Sequence, residues 1–134
     1  MGATYKNLGN SLEPIAADLF KSQPVRLEVS PDKIIFASTT EKRNAFAYTK
    51  MITGVTKLLT DSEFFIVLVE EHWNKLKDEE KRWVLLHEMY HCIYSKTGEP
   101  ALRKHDVEDF EILLKDPQWN LDLIKPKKQK PDLV

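Results

Sequence analysis

The sequence predicts a mixed α+β fold, because two helical patterns enclose a pronounced strand. Apolar side chains recur at helical spacing over residues 11–20, with Ser11 as the predicted N-cap. Six consecutive bulky residues at 64–69, most of them β-branched or aromatic, favour a strand. Asp78 is a good N-cap for a second helix that is predicted to run to about Ser95.

Shorter patterns predict the rest of a small sheet. Residues 25–29 alternate apolar and polar side chains, which is typical of a half-buried strand. A short apolar strand is predicted at 34–37, followed by a polar loop at 38–44. A further strand is predicted at 45–52, before Gly54 breaks or bends it.

The C-terminal part is predicted to add a helix and a basic tail. The helix starts near His105 or Asp106, and the turn before Pro117 ends it. Four lysines and a proline at 125–130, with no apolar face, predict a solvated tail. We therefore expect one domain over residues 1–124 and a flexible basic tail over residues 125–134.

Composition narrows the class of protein. The chain has 134 residues, of which 42% are hydrophobic and 31% charged, as expected for a globular domain with a real core. A net charge of -1 gives no global attraction to nucleic acid or anionic membrane. The single cysteine excludes an intrachain disulfide and a cysteine-based zinc site. No secretory signal or membrane-length apolar run is visible, so we expect a cytoplasmic protein.

The most informative pattern is an H-E-x-x-H motif inside an apolar helical stretch. Histidines four residues apart on a helix, here His87 and His91, lie about 6 Å apart on one face and can reach one metal ion. Glu88 lies beside the first histidine and can take a proton from metal-bound water. Buried polar side chains cost free energy unless they find partners, which favours a site over a chance motif. The pattern predicts the chemistry of a zinc-dependent peptidase.

A catalytic zinc ion needs a third protein ligand and keeps a fourth position for water. His105 is the predicted third ligand, because neutral imidazole suits zinc and 13 residues with a turn separate it from His91. Asp106 is the alternative ligand, or it accepts a hydrogen bond from a ligating histidine. Asp109 shares that supporting role, and helix capping stays open for both aspartates. Another divalent metal also stays open.

Other residues around the motif are expected to be structural. His72 has no pattern that connects it to the motif, so we expect a solvated or satisfied histidine. Cys92 points about 100° away from the neighbouring His91 around the helix and is expected to be a small buried side chain. Packing is the expected role of Tyr90 and Tyr94, although either could donate to a developing oxyanion.

Two elements together resemble the putative phage metallopeptidase family. The first is the motif in the stretch 86–92, and the second is an H-D-x-x-D-F-like element in the stretch 103–110. The resemblance extends over residues 46–114. The spacing is also similar to that of SprT-like proteases, which often carry a downstream cysteine zinc ribbon that one cysteine cannot build.

The resemblance implies a zincin-like fold, with a small, mostly antiparallel sheet packed on the active-site helix and with flanking N- and C-terminal helices. It implies a phage or prophage product that acts in the cytoplasm of a bacterial host on a protein or peptide substrate. Zn²⁺ would be held by His87, His91 and His105, with Glu88 as the general base. By analogy with zincins, we expect an extended peptide to pair with one strand, made of Phe64, Phe65, Ile66, Val67, Leu68 and Val69.

Two other functions remain open. The chain could be a catalytically silent zinc-containing module that acts by contact with a protein partner, although an intact Glu88 argues against that. It could also contact nucleic acid through its basic tail, but four lysines would give only weak, salt-sensitive binding.

Overall fold

The computed structural model describes residues 2–22 and 27–103, which form a mixed α+β fold. The strands are β1 (Tyr5–Asn7), β2 (Ile34–Thr39), β3 (Ala47–Met51), β4 (Phe64–Val69), β5 (Cys92–Tyr94) and β6 (Pro100–Leu102). The α-helices are α1 (Gly9–Ser22), α2 (Glu70–Trp73) and α3 (Asp78–His91), and 3-10 helices cover Pro31–Lys33 and Gly54–Leu58. The predicted fold class is confirmed.

Four strands form the main sheet in the order β1-β2-β4-β3. The pairs β1–β2 and β3–β4 are antiparallel, whereas β2 and β4 run parallel. The sheet is therefore mostly antiparallel, as expected. Strands β5 and β6 form a separate antiparallel hairpin directly after α3.

Strand β4 is buried on both faces of this sheet. Its alternate residues Phe64, Ile66 and Leu68 belong to the main core, while Val67 and Val69 pack in a smaller cluster on the other face. A strand covered on both faces needs an uninterrupted apolar run, which explains why the pattern at 64–69 does not alternate. Because β2 and β3 pair with its two sides, β4 is not a sheet edge. The prediction that a peptide pairs with this strand is wrong.

The main core lies between one face of the sheet and the helices α1 and α3. Helix α3 packs against both α1 and β3, and α1 also contacts β2. Leu12, Ala16 and Leu19 of α1 are buried, as the helical spacing predicts. Trp73 of α2 is also buried in this core, as expected of an anchoring side chain.

Two N-terminal predictions need correction. Helix α1 begins at Gly9 rather than at Ser11, and the Asn7 side chain accepts the Gly9 N–H over 2.8 Å. Residues 27–30 are not a strand, although Leu27 and Val29 are buried. Their apolar side chains pack in the core from an irregular segment, and no strand in the described part of the chain pairs with it. The preceding residues 23–26 lie outside the described part of the chain.

The predicted strands and turns before β4 are close to those observed. Strand β2 extends two residues further than predicted, to Thr39, because it pairs with β4 along its whole length. Strand β3 begins at Ala47, two residues later than predicted. Gly54 adopts a positive φ of 64°, which glycine adopts without strain, and starts a 3-10 helix as the chain leaves β3.

Helix α3 ends earlier than predicted. Its last residue is His91, and Cys92 already has extended backbone angles, with φ -79° and ψ 118°. Residues Cys92–Tyr94 instead pair with Pro100–Leu102, across a turn that contains Gly98 at φ 84°. At the other end Lys77 is the N-cap, and Glu80 accepts its N–H over 2.7 Å, so Asp78 is the first helical residue.

The predicted helix from residue 105, the basic tail at 125–134 and the domain limits lie wholly or partly outside the described residues. Among residues 2–22 and 27–103, no helix has the length and apolar character that a membrane crossing requires.

The two-sided burial of β4 gives a stability prediction. We expect Phe64→Ala to lower the free energy of unfolding by about 3–5 kcal/mol, because it opens a cavity around a side chain with no exposed surface. Phe65→Ala is the matched control, since Phe65 is only partly buried on the other face. Urea denaturation measures both variants, and equal losses would contradict the assignment of the main core.

Candidate metal centre

Helix α3 carries three polar side chains into the protein interior. Only 4% of His87, 1% of Glu88 and 8% of His91 is exposed. The helix can bury them because the residues around them, from Trp83 to Tyr90, are also buried. A helix that is buried nearly all round is enclosed by other elements, here α1 on one side and β3 on another.

The two imidazoles lie next to each other, as their spacing predicts. The ring centroids of His87 and His91 are 5.0 Å apart, and the ring planes are nearly perpendicular at 82°. Trp83, one turn earlier, stacks on His87 with centroids 5.3 Å apart and an interplanar angle of 18°. The indole therefore limits the orientations that the first imidazole can adopt.

The donor set fits a metal ion. One ligand atom from each of His87, Glu88 and His91 can be chosen so that all three lie within 4.8 Å of one another. Two imidazoles and a carboxylate are ligands that zinc and similar divalent cations accept. The described part of the chain contains one such group of three or more potential ligands, and it is this one.

The backbone of Arg103 fixes the ring of His91. The carbonyl oxygen of Arg103 accepts a hydrogen bond from His91 Nδ1 over 2.6 Å, and the Arg103 N–H donates to the His91 carbonyl over 2.7 Å. A neutral imidazole that donates through Nδ1 carries its lone pair on Nε2. This is the arrangement in which metal-ligating histidines are commonly held.

The side chain of Arg103 fastens the same strand end to its surroundings. Its Nε donates to the Tyr90 carbonyl over 3.0 Å, and its guanidinium carbon lies 4.1 Å from the centre of the Tyr90 ring. Its Nη2 donates to Glu28 over 2.9 Å. These contacts hold the end of β6 against the end of α3, and thereby keep the carbonyl of Arg103 beside His91.

Glu88 is held by one hydrogen bond from the sheet. Thr49 of β3 donates through Oγ1 to Glu88 Oε1 over 2.6 Å. Within the described residues Glu88 Oε2 is buried without a hydrogen-bond partner. Burial raises the pKa of Glu88 to about 8, and the Thr49 hydroxyl acts in the opposite direction. A carboxyl group with a raised pKa, next to two imidazoles, is suited to accept and return a proton.

The structure brings together three of the predicted site residues, His87, Glu88 and His91. The predicted third ligand His105 and its neighbours Asp106 and Asp109 lie outside the described residues.

The residues that we expected to be structural lie outside this group. His72 contacts the Arg43 carbonyl over 2.8 Å through Nε2. Cys92 is buried and donates to the Glu88 carbonyl over 3.8 Å, and burial raises the pKa of its thiol. The Tyr94 hydroxyl donates to Glu63 over 2.6 Å. Tyr90 is buried in the main core.

Sequence reasoning missed two residues of this centre. Thr49 is one polar residue in a strand, and nothing in its local pattern distinguishes it from any half-buried strand position. Arg103 contributes its backbone carbonyl, which no sequence pattern reveals. The available signal was its place two residues before His105, in the stretch that carries the resemblance.

Comparison with known proteins agrees with this centre. The sequence profile of the putative phage metallopeptidase family matches residues 10–122, which include the whole His87–His91 motif and the stretch around His105. No match is found among curated proteins or among solved structures. Because the profile covers most of the chain, the chain belongs to the putative phage metallopeptidase family.

Proposed function

We propose that this chain is a zinc-dependent metallopeptidase of a phage or prophage, which hydrolyses a peptide bond in a specific protein inside the bacterial host cell. The observation that carries the proposal is the buried group of His87, Glu88 and His91, whose ligand atoms lie within 4.8 Å of one another. Membership of a metallopeptidase family supports it.

Each residue of the centre has a separate role in this proposal. His87 and His91 hold the metal, and the Arg103 carbonyl keeps the His91 ring in the required tautomer. Zinc, when bound, would act as a Lewis acid that polarises the scissile carbonyl and lowers the pKa of the attacking water. Glu88 accepts the proton of the attacking water and passes it to the leaving amine.

We propose His105 as the third ligand, with Asp106 as the alternative. The support is the position of Arg103, whose carbonyl lies 2.6 Å from His91 Nδ1. His105 follows Arg103 by two residues in the sequence.

We propose β3, in place of β4, as the strand that pairs with an extended substrate. Among the strands of the described residues, β3 is an outer strand of the sheet, and it contacts both α3 and β6. In an antiparallel pair, every second residue directs its N–H and C=O groups toward the partner strand. Phe46 and Ile52 bond to β4 or to the residue just before it, so Tyr48 and Lys50, which lie between them at the same alternate positions, also direct their groups toward β4. The groups of Ala47, Thr49 and Met51 therefore face the outer edge, where a peptide can add a strand.

The role of Glu88 is tested by removing its charge. We expect Glu88→Gln to keep its zinc but to lose at least about 10²-fold in peptidase rate, a typical contribution of a general base. Metal analysis and a peptide-library assay, with and without chelator, measure the two quantities. Glu99→Gln, at an exposed turn of the β5–β6 hairpin, is the control and should keep full activity. Full activity of Glu88→Gln would reject the assignment, and zinc without turnover in the native chain would favour the silent binding module.

The third ligand is tested by metal content. We expect His105→Ala to lower the zinc content of protein purified without added zinc, because two imidazoles alone hold the ion weakly. His72→Ala is the matched control and should keep its zinc. If His105→Ala leaves the content unchanged and Asp106→Ala removes the metal, then Asp106 is the ligand.

The buried carboxyl group makes the stability of the metal-free protein depend on pH. Burial raises the pKa of Glu88 from 4.5 to about 8, so between these values the folded chain holds a proton that the unfolded chain releases. Its contribution to the free energy of unfolding is fully present below about pH 4.5 and is lost as the pH rises to about 8. In chelator, Glu88→Gln should therefore gain stability relative to the native chain over this range. Urea denaturation at several pH values in this range measures the difference in the free energy of unfolding between the two proteins. A difference that does not change with pH would contradict the burial of Glu88.

A further inference from the structure

Within the described residues, the hydroxyl group of Thr49 is the one polar contact that the Glu88 carboxylate receives from another element. Oγ1 lies 2.6 Å from Glu88 Oε1 and 3.3 Å from the Glu88 carbonyl. A hydroxyl has one hydrogen, and the shorter distance assigns that hydrogen to the side-chain oxygen Oε1 rather than to the carbonyl. Because Glu88 Oε2 has no hydrogen-bond partner within the described residues, this single contact fixes the rotation of the carboxylate.

Thr49 is itself held in place by the sheet. It pairs with Ile66 of the central strand β4, and its branched side chain restricts rotation about the Cα–Cβ bond. Its side chain faces α3, while its own N–H and C=O face the outer edge of β3. One residue thus has its hydroxyl on Glu88 and its backbone at the edge where an extended peptide would pair.

We propose that Thr49 is the positioning residue for Glu88, and that it couples the register of a peptide bound along β3 to the orientation of the general base. This inference rests on the proposed peptidase function. Thr49 need not contact the metal or the scissile bond, since it acts through the carboxylate that it holds. An outward or inward shift of β3 on peptide pairing would move the hydroxyl and the Glu88 carboxylate together.

A pair of substitutions separates the hydroxyl from the packing of the side chain. Thr49→Val keeps the branched shape and removes the donor, whereas Thr49→Ser keeps the donor and removes a methyl group. In the zinc-loaded full chain we expect Thr49→Val to lower kcat by about tenfold to a hundredfold, the size of a hydrogen bond to a charged group, with unchanged zinc content. Thr49→Ser should stay within about threefold of the native kcat, and KM should change little in either variant.

The same substitution in the Glu88→Gln background shows whether Thr49 acts through Glu88. There, Thr49→Val should cause no further loss of kcat, because the base that Thr49 positions is already gone. Equal losses in Thr49→Val and Thr49→Ser would show a packing role and overturn the proposal. An equal loss from Thr49→Val in both backgrounds would overturn it as well.

A spectroscopic measurement keeps this inference separate from the peptidase proposal. Co²⁺ replaces zinc in the full chain, and its visible absorption bands report on the groups around the metal. We expect Thr49→Val, but not Thr49→Ser, to shift these bands, and to have no effect once Glu88 is replaced by alanine. That result without any peptidase activity would reject the proposed function and keep Thr49 as the positioning residue. If the native chain is active but Thr49→Val changes neither the Co²⁺ absorption bands nor kcat, the proposed function stands and the positioning role of Thr49 is rejected.

Discussion

The burial of helix α3 is the constraint on which the rest of the structure depends. A helix enclosed on nearly all sides can carry charged or polar groups only where its neighbours supply partners, because an unpaired buried carboxylate or imidazole costs several kcal/mol. Glu88 obtains its partner from β3 through Thr49, and His91 obtains its partner from the end of β6 through Arg103. The positions of these two elements beside the helix therefore determine the polar centre as well as the packing of the apolar core.

The order of the strands determines which of them lies at the edge. β4 takes the central place because all six of its residues are apolar, three packed toward the helices and the others toward the opposite face, where Phe65 is partly buried. This leaves β3 as an outer strand that still contacts α3. A strand in that place can meet two demands at once: its inner residues pair with β4, and its Thr49 side chain reaches across to Glu88. The more apolar strand could not do this, since both its sides are already paired.

Much of the fold and the three motif residues of the centre follow from local sequence, and the remainder depends on distant contacts. The strand Phe64–Val69 has the bounds that the sequence predicts, because six consecutive bulky residues strongly favour a strand. The end of α3 was predicted too late, because Ile93 and Tyr94 continue the apolar pattern and only pairing with residues 100–102 turns them into a strand. Leu27 and Val29 alternate with polar residues as in a strand, yet no strand among residues 2–22 and 27–103 pairs with them. The histidine spacing revealed His87 and His91, whereas Thr49 has no local signature.

The β5–β6 hairpin returns the chain to the end of the helix that carries the motif. Had α3 continued past His91, as the apolar pattern suggested, the chain would have moved away from the centre by about 1.5 Å with each residue. Instead the strand pairing of Cys92 with Leu102 returns the chain to the point where the helix ends, so that Arg103 bonds to His91 through both its N–H and its C=O. Most of the 13 residues between His91 and His105 are the outward and return strands of this hairpin and its turn. The pairing that closes the hairpin therefore holds the backbone of Arg103 against the ring of His91, so the separation of these two residues in the sequence is the length of a hairpin and not a distance in space.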